Sequence, residues 1–174
     1  MIAYVSSRAI APKLYVTGPG GTHELGDSQE PSVAPNGLIV SGSAWTSGPA
    51  LTLYATAAKR SHSFFTDRVI ATPLAWSPDS RYLAVWLETH QRQIVSTGLA
   101  VIDTRTMTAR TVATGVILGA SFAPSGPDRL VYGQARSPQI GDAVNARVPA
   151  VAAARRLTAT GWSPTTRGQA SSSR

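Results

Sequence analysis

The chain has 174 residues and no cysteine, which excludes disulfides, thiolate catalysis and cysteine-based zinc sites. Long apolar runs are missing too. Hydrophobic residues make up 43% of the chain, but Gly, Pro, Ser, Thr and Asn break them into short segments, well below the roughly 18 residues of a membrane helix. Met1 to Lys13 lacks a basic segment followed by an apolar stretch, so no export signal is expected in the sequence as written. Charge is sparse at 14%, and its net value of +7 is unevenly placed. Residues 1–135 carry 10 basic and 8 acidic side chains, whereas residues 136–174 carry six Arg and only Asp142.

Those six, Arg136, Arg147, Arg155, Arg156, Arg167 and Arg174, are spread among Ala, Ser, Thr and Pro, with Trp162 as the only aromatic. Single-strand binders interleave basic and aromatic residues, and duplex readers cluster the basic ones on one element. This tail does neither, so nucleic-acid binding is not expected. The nucleophile elbow Gly-x-Ser-x-Gly of many serine hydrolases is also absent. Gly18-Pro19-Gly20-Gly21 is followed by no Gly-Lys-Ser/Thr and reads as a hairpin turn, not a phosphate loop. His23 falls in a turn or outer strand, His62 in an outer strand and His90 in a loop. They read as solvated residues that share no metal, and no cofactor is expected.

What the sequence does contain is a turn repeated three times, as Ala34-Pro35-Asn36-Gly37, Ser77-Pro78-Asp79-Ser80 and Ala123-Pro124-Ser125-Gly126, with the prolines 43 and 46 residues apart. Proline presets the first central residue of a type I turn, a short polar side chain next to it bonds nearby backbone, and glycine suits the last position. Asn36, Asp79 and Ser125 are therefore turn formers, with Gly37, Ser80 and Gly126 behind them. Asp79 could serve as a ligand or an acid, but the turn role explains it with fewer assumptions.

The copy around Ser77 is the clearest. Ile70 to Trp76 leads into the turn, Tyr82 to Leu87 follows, a polar loop covers Glu88 to Ser96, and Leu99 to Ile102 and Thr108 to Ala113 complete four short strands. An unbroken apolar run such as Tyr82 to Leu87 implies burial on both faces, as in a sheet sandwiched between two similar sheets. That is the geometry of a propeller blade. Trp76, Tyr82, Leu83, Val85, Trp86, Val101, Phe122 and Val131 are the expected blade core, and of Trp45, Trp76 and Trp86 the first is the one expected to be exposed. The fold class is all-β, a partial propeller of about three and a half four-stranded antiparallel blades with an irregular C-terminal tail. Blades occupy residues 1–135, with the strand that should precede Ile2 absent. Degenerate outer strands of a further blade occupy 136–161, where residues 154–161 resemble residues 109–115, and 162–174 form a disordered tail.

Ala75-Trp76-Ser77-Pro78-Asp79-Ser80-Arg81-Tyr82-Leu83-Ala84-Val85 resembles the repeat signature of TolB-like, WD40-like propellers, whose usual turn is Trp-Ser-Pro-Asp-Gly. The resemblance covers residues 2–135, and 143–161 more weakly. It implies a bacterial scaffold that displays loops to other proteins in the periplasm or outside the cell. An alternative is the propeller portion of a prolyl-oligopeptidase-type serine peptidase without its catalytic domain. An open arc of blades would expose apolar faces, so self-association is expected.

Overall fold

The computed structural model describes residues 2–6, 12–28, 30–42, 49–55, 60–66, 68–91, 94–124, 129–135, 151–158 and 161–164. Every regular element among them is a strand, and the strands form four antiparallel sheets in chain order. The first sheet holds β1 (Ile2–Ser6), β2 (Lys13–Gly18) and β3 (Gly21–Asp27). The second holds β4 (Glu30–Val33), β5 (Ile39–Gly42), β6 (Leu51–Ala55) and β7 (Arg60–Phe64). The third is β8 (Val69–Trp76), β9 (Tyr82–Gln91), β10 (Ile94–Asp103) and β11 (Thr108–Thr114). The fourth is β12 (Ile117–Phe122), β13 (Arg129–Gln134), β14 (Val151–Thr158) and β15 (Gly161–Pro164). Each is an up-and-down meander, and the array is the partial β-propeller expected.

Packing follows the same order. β1 lies against β4, β4 against β8 and β8 against β12, so the leading strands of successive sheets are neighbours. The second and third sheets have both faces covered, and the third shows it most fully. Leu83, Val85 and Leu87 of β9 join Val40, Leu51, Leu53 and Phe64 of the second sheet, while Tyr82 and Ala84 join Phe122, Leu130 and Tyr132 of the fourth. Alternation along one strand thus feeds two cores, which is why its apolar run is unbroken. Tyr82 stacks on Phe122 with ring centroids 6.4 Å apart. A smaller core, with Leu14, Val16 and Ile39 buried, joins the first and second sheets. Close approach between sheets shows at Gly42 of β5, where a Cβ would lie 2.5 Å from the Ala71 carbonyl oxygen of the next sheet.

The structure corrects four sequence expectations. Residues 88–91 and 94–96 are strand, not loop. β9 and β10 extend into this stretch with Thr89 opposite Ser96 and His90 opposite Val95, so His90 sits on a strand. Val131 is not core, being 39% exposed, because β13 alternates and buries Leu130 and Tyr132 instead. Residues 162–164 are not tail but belong to β15, which pairs with β14. The likeness of residues 154–161 to 109–115 also misplaces the strand: β14 pairs with β13 as the third strand of its sheet, whereas β11 is a fourth strand. Ser125, Gly126, Trp45, Arg136, Arg147, Arg167 and Arg174 lie outside the described residues.

Candidate functional site

Three features qualify as sites: the turn end of the sheets, a cleft between the first two sheets, and the outward faces of the two end sheets. At the turn end, Ser80 N–H donates to the Ser77 carbonyl at 2.9 Å and Gly37 N–H to the Ala34 carbonyl at 2.9 Å. Ser80 and Gly37 occupy left-handed backbone, at φ of 61° and 85°, which is the conformation that makes glycine usual there. The polar side chains act locally. Asn36 Oδ1 accepts from Leu38 N–H at 3.1 Å, and Asp79 Oδ1 accepts from Arg81 N–H at 3.1 Å and from Ser77 Oγ at 2.7 Å. Pro35 and Pro78 hold the first central positions, and Pro124 ends the described part of the third turn.

Neighbouring turns are also bonded to each other. Ser80 Oγ accepts from Asn36 N–H at 2.9 Å, and the Trp76 indole N–H donates to Ser32 Oγ at 3.0 Å, so Trp76 is a half-buried strap between sheets. Trp86 is likewise half-buried. Below the turn, Arg81 donates from Nε and an Nη to one Asp103 oxygen at 3.3 and 3.0 Å, and its guanidinium lies 4.8 Å from the Tyr82 ring centroid. The other Asp103 oxygen accepts from Arg105 and Thr106 N–H groups at 2.9 and 3.4 Å. Burial alone would raise the Asp103 carboxyl, but the bonds from Arg81 and the two backbone groups outweigh it and hold the pKa below the usual carboxylate range. These groups are consumed by one another, which makes the cluster a brace for the sheets.

The cleft is different, because its polar groups are not all spent. It has a volume of about 450 Å³, opens on one side, and lies between the first and second sheets. Val16, Leu25 and Tyr54, which also pack in the small core joining these sheets, form its apolar floor. His23 pairs with Val16 on β3, and Ser61 pairs with Tyr54 on β7, so strand alternation turns both toward the gap. Arg60, one residue before Ser61, stands at the rim. Glu24 also borders the cleft, but Lys13 holds its carboxylate at 3.2 Å.

At the ends of the array, Ile2 and Tyr4 on β1 are 64% and 42% exposed, opposite in the alternation to Ala3 and Val5, which pack inward. Tyr4 stacks on Tyr15 of β2 with centroids 5.6 Å apart. On the fourth sheet Leu118 is 57% exposed and shares the outward surface with Val131. The three histidines lie on β3, β7 and β9, and no group of three or more metal-binding side chains gathers among the described residues. Sequence reasoning did not find the cleft, since its walls come from four strands whose adjacency depends on how two sheets pack.

No family model and no curated protein matches this sequence. Among solved structures, the crystal structure of TolB from Acinetobacter baumannii is similar, with a TM-score of 0.54 at 15% sequence identity. The match covers 95% of this chain and 41% of that one, so the chain spans about two fifths of the length of the TolB structure. At this identity the likeness is one of fold, and the fold is TolB-like.

Proposed function

We propose that this TolB-like array of sheets is a non-catalytic scaffold that binds another protein, in the cell envelope or outside the cell, and that it self-associates when no partner is present. The observation carrying this reading is the pair of outward end faces, where Ile2, Tyr4, Leu118 and Val131 stand exposed on strands whose opposite sides pack in cores. Large exposed apolar groups on rigid sheets favour association over a solvated surface. Similar propellers host many activities, so the fold itself decides nothing here.

The test is capture from an envelope extract by the parent protein and by a Tyr4→Lys/Leu118→Lys variant, with light scattering on both. Stoichiometric capture by the parent that the variant loses at unchanged Tm, together with a smaller mass for the free variant, supports the scaffold. Equal capture by both proteins overturns the assignment to the end faces. Turnover of a small ester or peptide by the purified parent overturns the non-catalytic reading.

A further inference from the structure

We infer that the cleft between the first two sheets is a receptor for the C-terminal residue of a partner polypeptide, an apolar side chain with a free carboxylate beside it. The inference rests on the protein-binding reading and names the part of the partner that this site takes.

The volume of about 450 Å³ lies within the range of about 300–1,000 Å³ typical of built ligand sites. Its floor is apolar and supplied by Val16, Leu25 and Tyr54, two of which come from the first sheet and one from the second. A ligand seated there touches both sheets. Above the floor the uncommitted polar groups are His23, Ser61 and Arg60, none of which makes a side-chain hydrogen bond or ion pair among the described residues. The acid that borders the cleft among the described residues, Glu24, is answered by Lys13 and also takes the Tyr15 hydroxyl at 3.5 Å. The cleft therefore offers an unpaired guanidinium and a hydroxyl donor over an apolar surface.

That combination selects a carboxylate attached to an apolar body. A guanidinium binds a carboxylate through two parallel N–H···O bonds, and its charge is not cancelled by a neighbour here. An uncharged apolar group would leave Arg60 without a partner, and a small anion alone would leave the floor wet. A chain terminus meets both demands within one residue, and the open side lets the preceding backbone leave between the outer strands β3 and β7.

The probe is acetyl-Ala-Ala-Leu with a free C-terminus, titrated into the full chain and followed by amide shifts in NMR and by calorimetry. Its C-terminal amide and 4-methylpentanoate serve as comparators. The free acid should shift the amides of His23, Leu25, Tyr54 and Ser61 saturably and bind at least about tenfold more tightly than the amide, since a charge-assisted bond is lost. Arg60→Ala should weaken the free acid about tenfold without changing Tm, because Arg60 is exposed, and should leave the amide unaffected. Arg60→Lys should restore part of the loss. Equal binding of acid and amide, shifts that map elsewhere, or no shifts would overturn the proposal. Equal affinity for 4-methylpentanoate, which has the carboxylate and the apolar body but no peptide unit, would reassign the cleft to free carboxylic acids and overturn the peptide source. If the peptide fails while capture still depends on Tyr4 and Leu118, the cleft proposal falls and the scaffold stands. Peptide binding with no capture gives the reverse.

Discussion

Ser77→Ala is the most informative single perturbation of the turn. Ser77 is fully buried, and its hydroxyl does two things at once: it accepts from Tyr82 N–H at 2.8 Å and donates to Asp79 Oδ1 at 2.7 Å. Deleting the hydroxyl leaves Tyr82 N–H buried without that acceptor, a penalty of about 1–3 kcal/mol. Asp79 is exposed, so water replaces the bond it loses and little is added there. The expected cost is about 2 kcal/mol, or a Tm lower by about 4–8 °C for a chain of this size.

Asp79→Ala should cost less, about 0.5–1 kcal/mol, because its bond from Arg81 N–H is exposed and the Ser77 hydroxyl it leaves still accepts from Tyr82 N–H, and Asp79→Asn should be close to neutral. The two sites share a bond, so the double Ala variant should lose less than the sum of the singles by about 0.5–1 kcal/mol. Urea denaturation midpoints at constant m-value measure all four variants. A Ser77→Ala loss below about 0.5 kcal/mol would refute the reasoning, as would an Asp79→Ala loss equal to it or greater.

Ser80 pits strain against a bond: its φ of 61° is unfavourable for a side chain, yet its hydroxyl accepts from Asn36 N–H of the neighbouring turn. Ser80→Ala should therefore destabilise by about 1 kcal/mol while Ser80→Gly stays within about 0.5 kcal/mol of the parent, read by the same denaturation, and an Ala variant as stable as the Gly variant would contradict it. Asp103 carries a pH dependence, because a depressed folded pKa means the unfolded chain binds more protons near its ordinary value of about 3.9. Its contribution is complete above that value and is lost as pH falls through the folded pKa, so Asp103→Asn should flatten the acid limb of the stability–pH curve, and an unchanged limb would count against the Arg81 pairing.

The parts of the fold legible in the sequence are those fixed by local chemistry. A proline followed by a short polar side chain specifies the turn in both fully described copies, and the apolar run from Tyr82 signals a strand covered twice. Strand ends were not legible at Glu88 to Ser96, because ladder hydrogen bonds form whatever the side chains are, and polar residues at the wet end of a long hairpin look like a loop. Val131 misled for the opposite reason. Leu130-Val131-Tyr132 reads like Leu83-Ala84-Val85, yet Ala84 faces a neighbouring sheet whereas Val131, on the side away from the third sheet, is 39% exposed. The resemblance of residues 154–161 to 109–115 carried no pairing information, since β14 takes its place from β13 beside it. The cleft left no mark at all: Val16, His23, Tyr54 and Ser61 meet through inter-sheet packing, which no local pattern encodes.

The same uneven coverage bears on how binding and stability are coupled. In a stacked array each sheet is held mainly by its nearest neighbours, so stability is close to a sum over interfaces. The third sheet draws on two extensive cores, whereas the first is joined to the second by a core in which Leu14, Val16 and Ile39 are the buried residues. The weakest joint is therefore the one that the cleft spans, and the exposed face of Ile2 and Tyr4 lies on the sheet beyond it. A ligand that bridges Val16 and Tyr54 adds its binding free energy to that joint by mass action, stabilising the docked sheet by about 2.7 kcal/mol at a hundredfold excess over Kd. Amide exchange in β1, β2 and β3 should then slow more than exchange in the third sheet does, because the third sheet is held by two cores that the ligand does not touch. Occupancy of the cleft and order in the first sheet are on this argument a single equilibrium, and the outward face that the first sheet presents to a partner is held in place by what sits behind it.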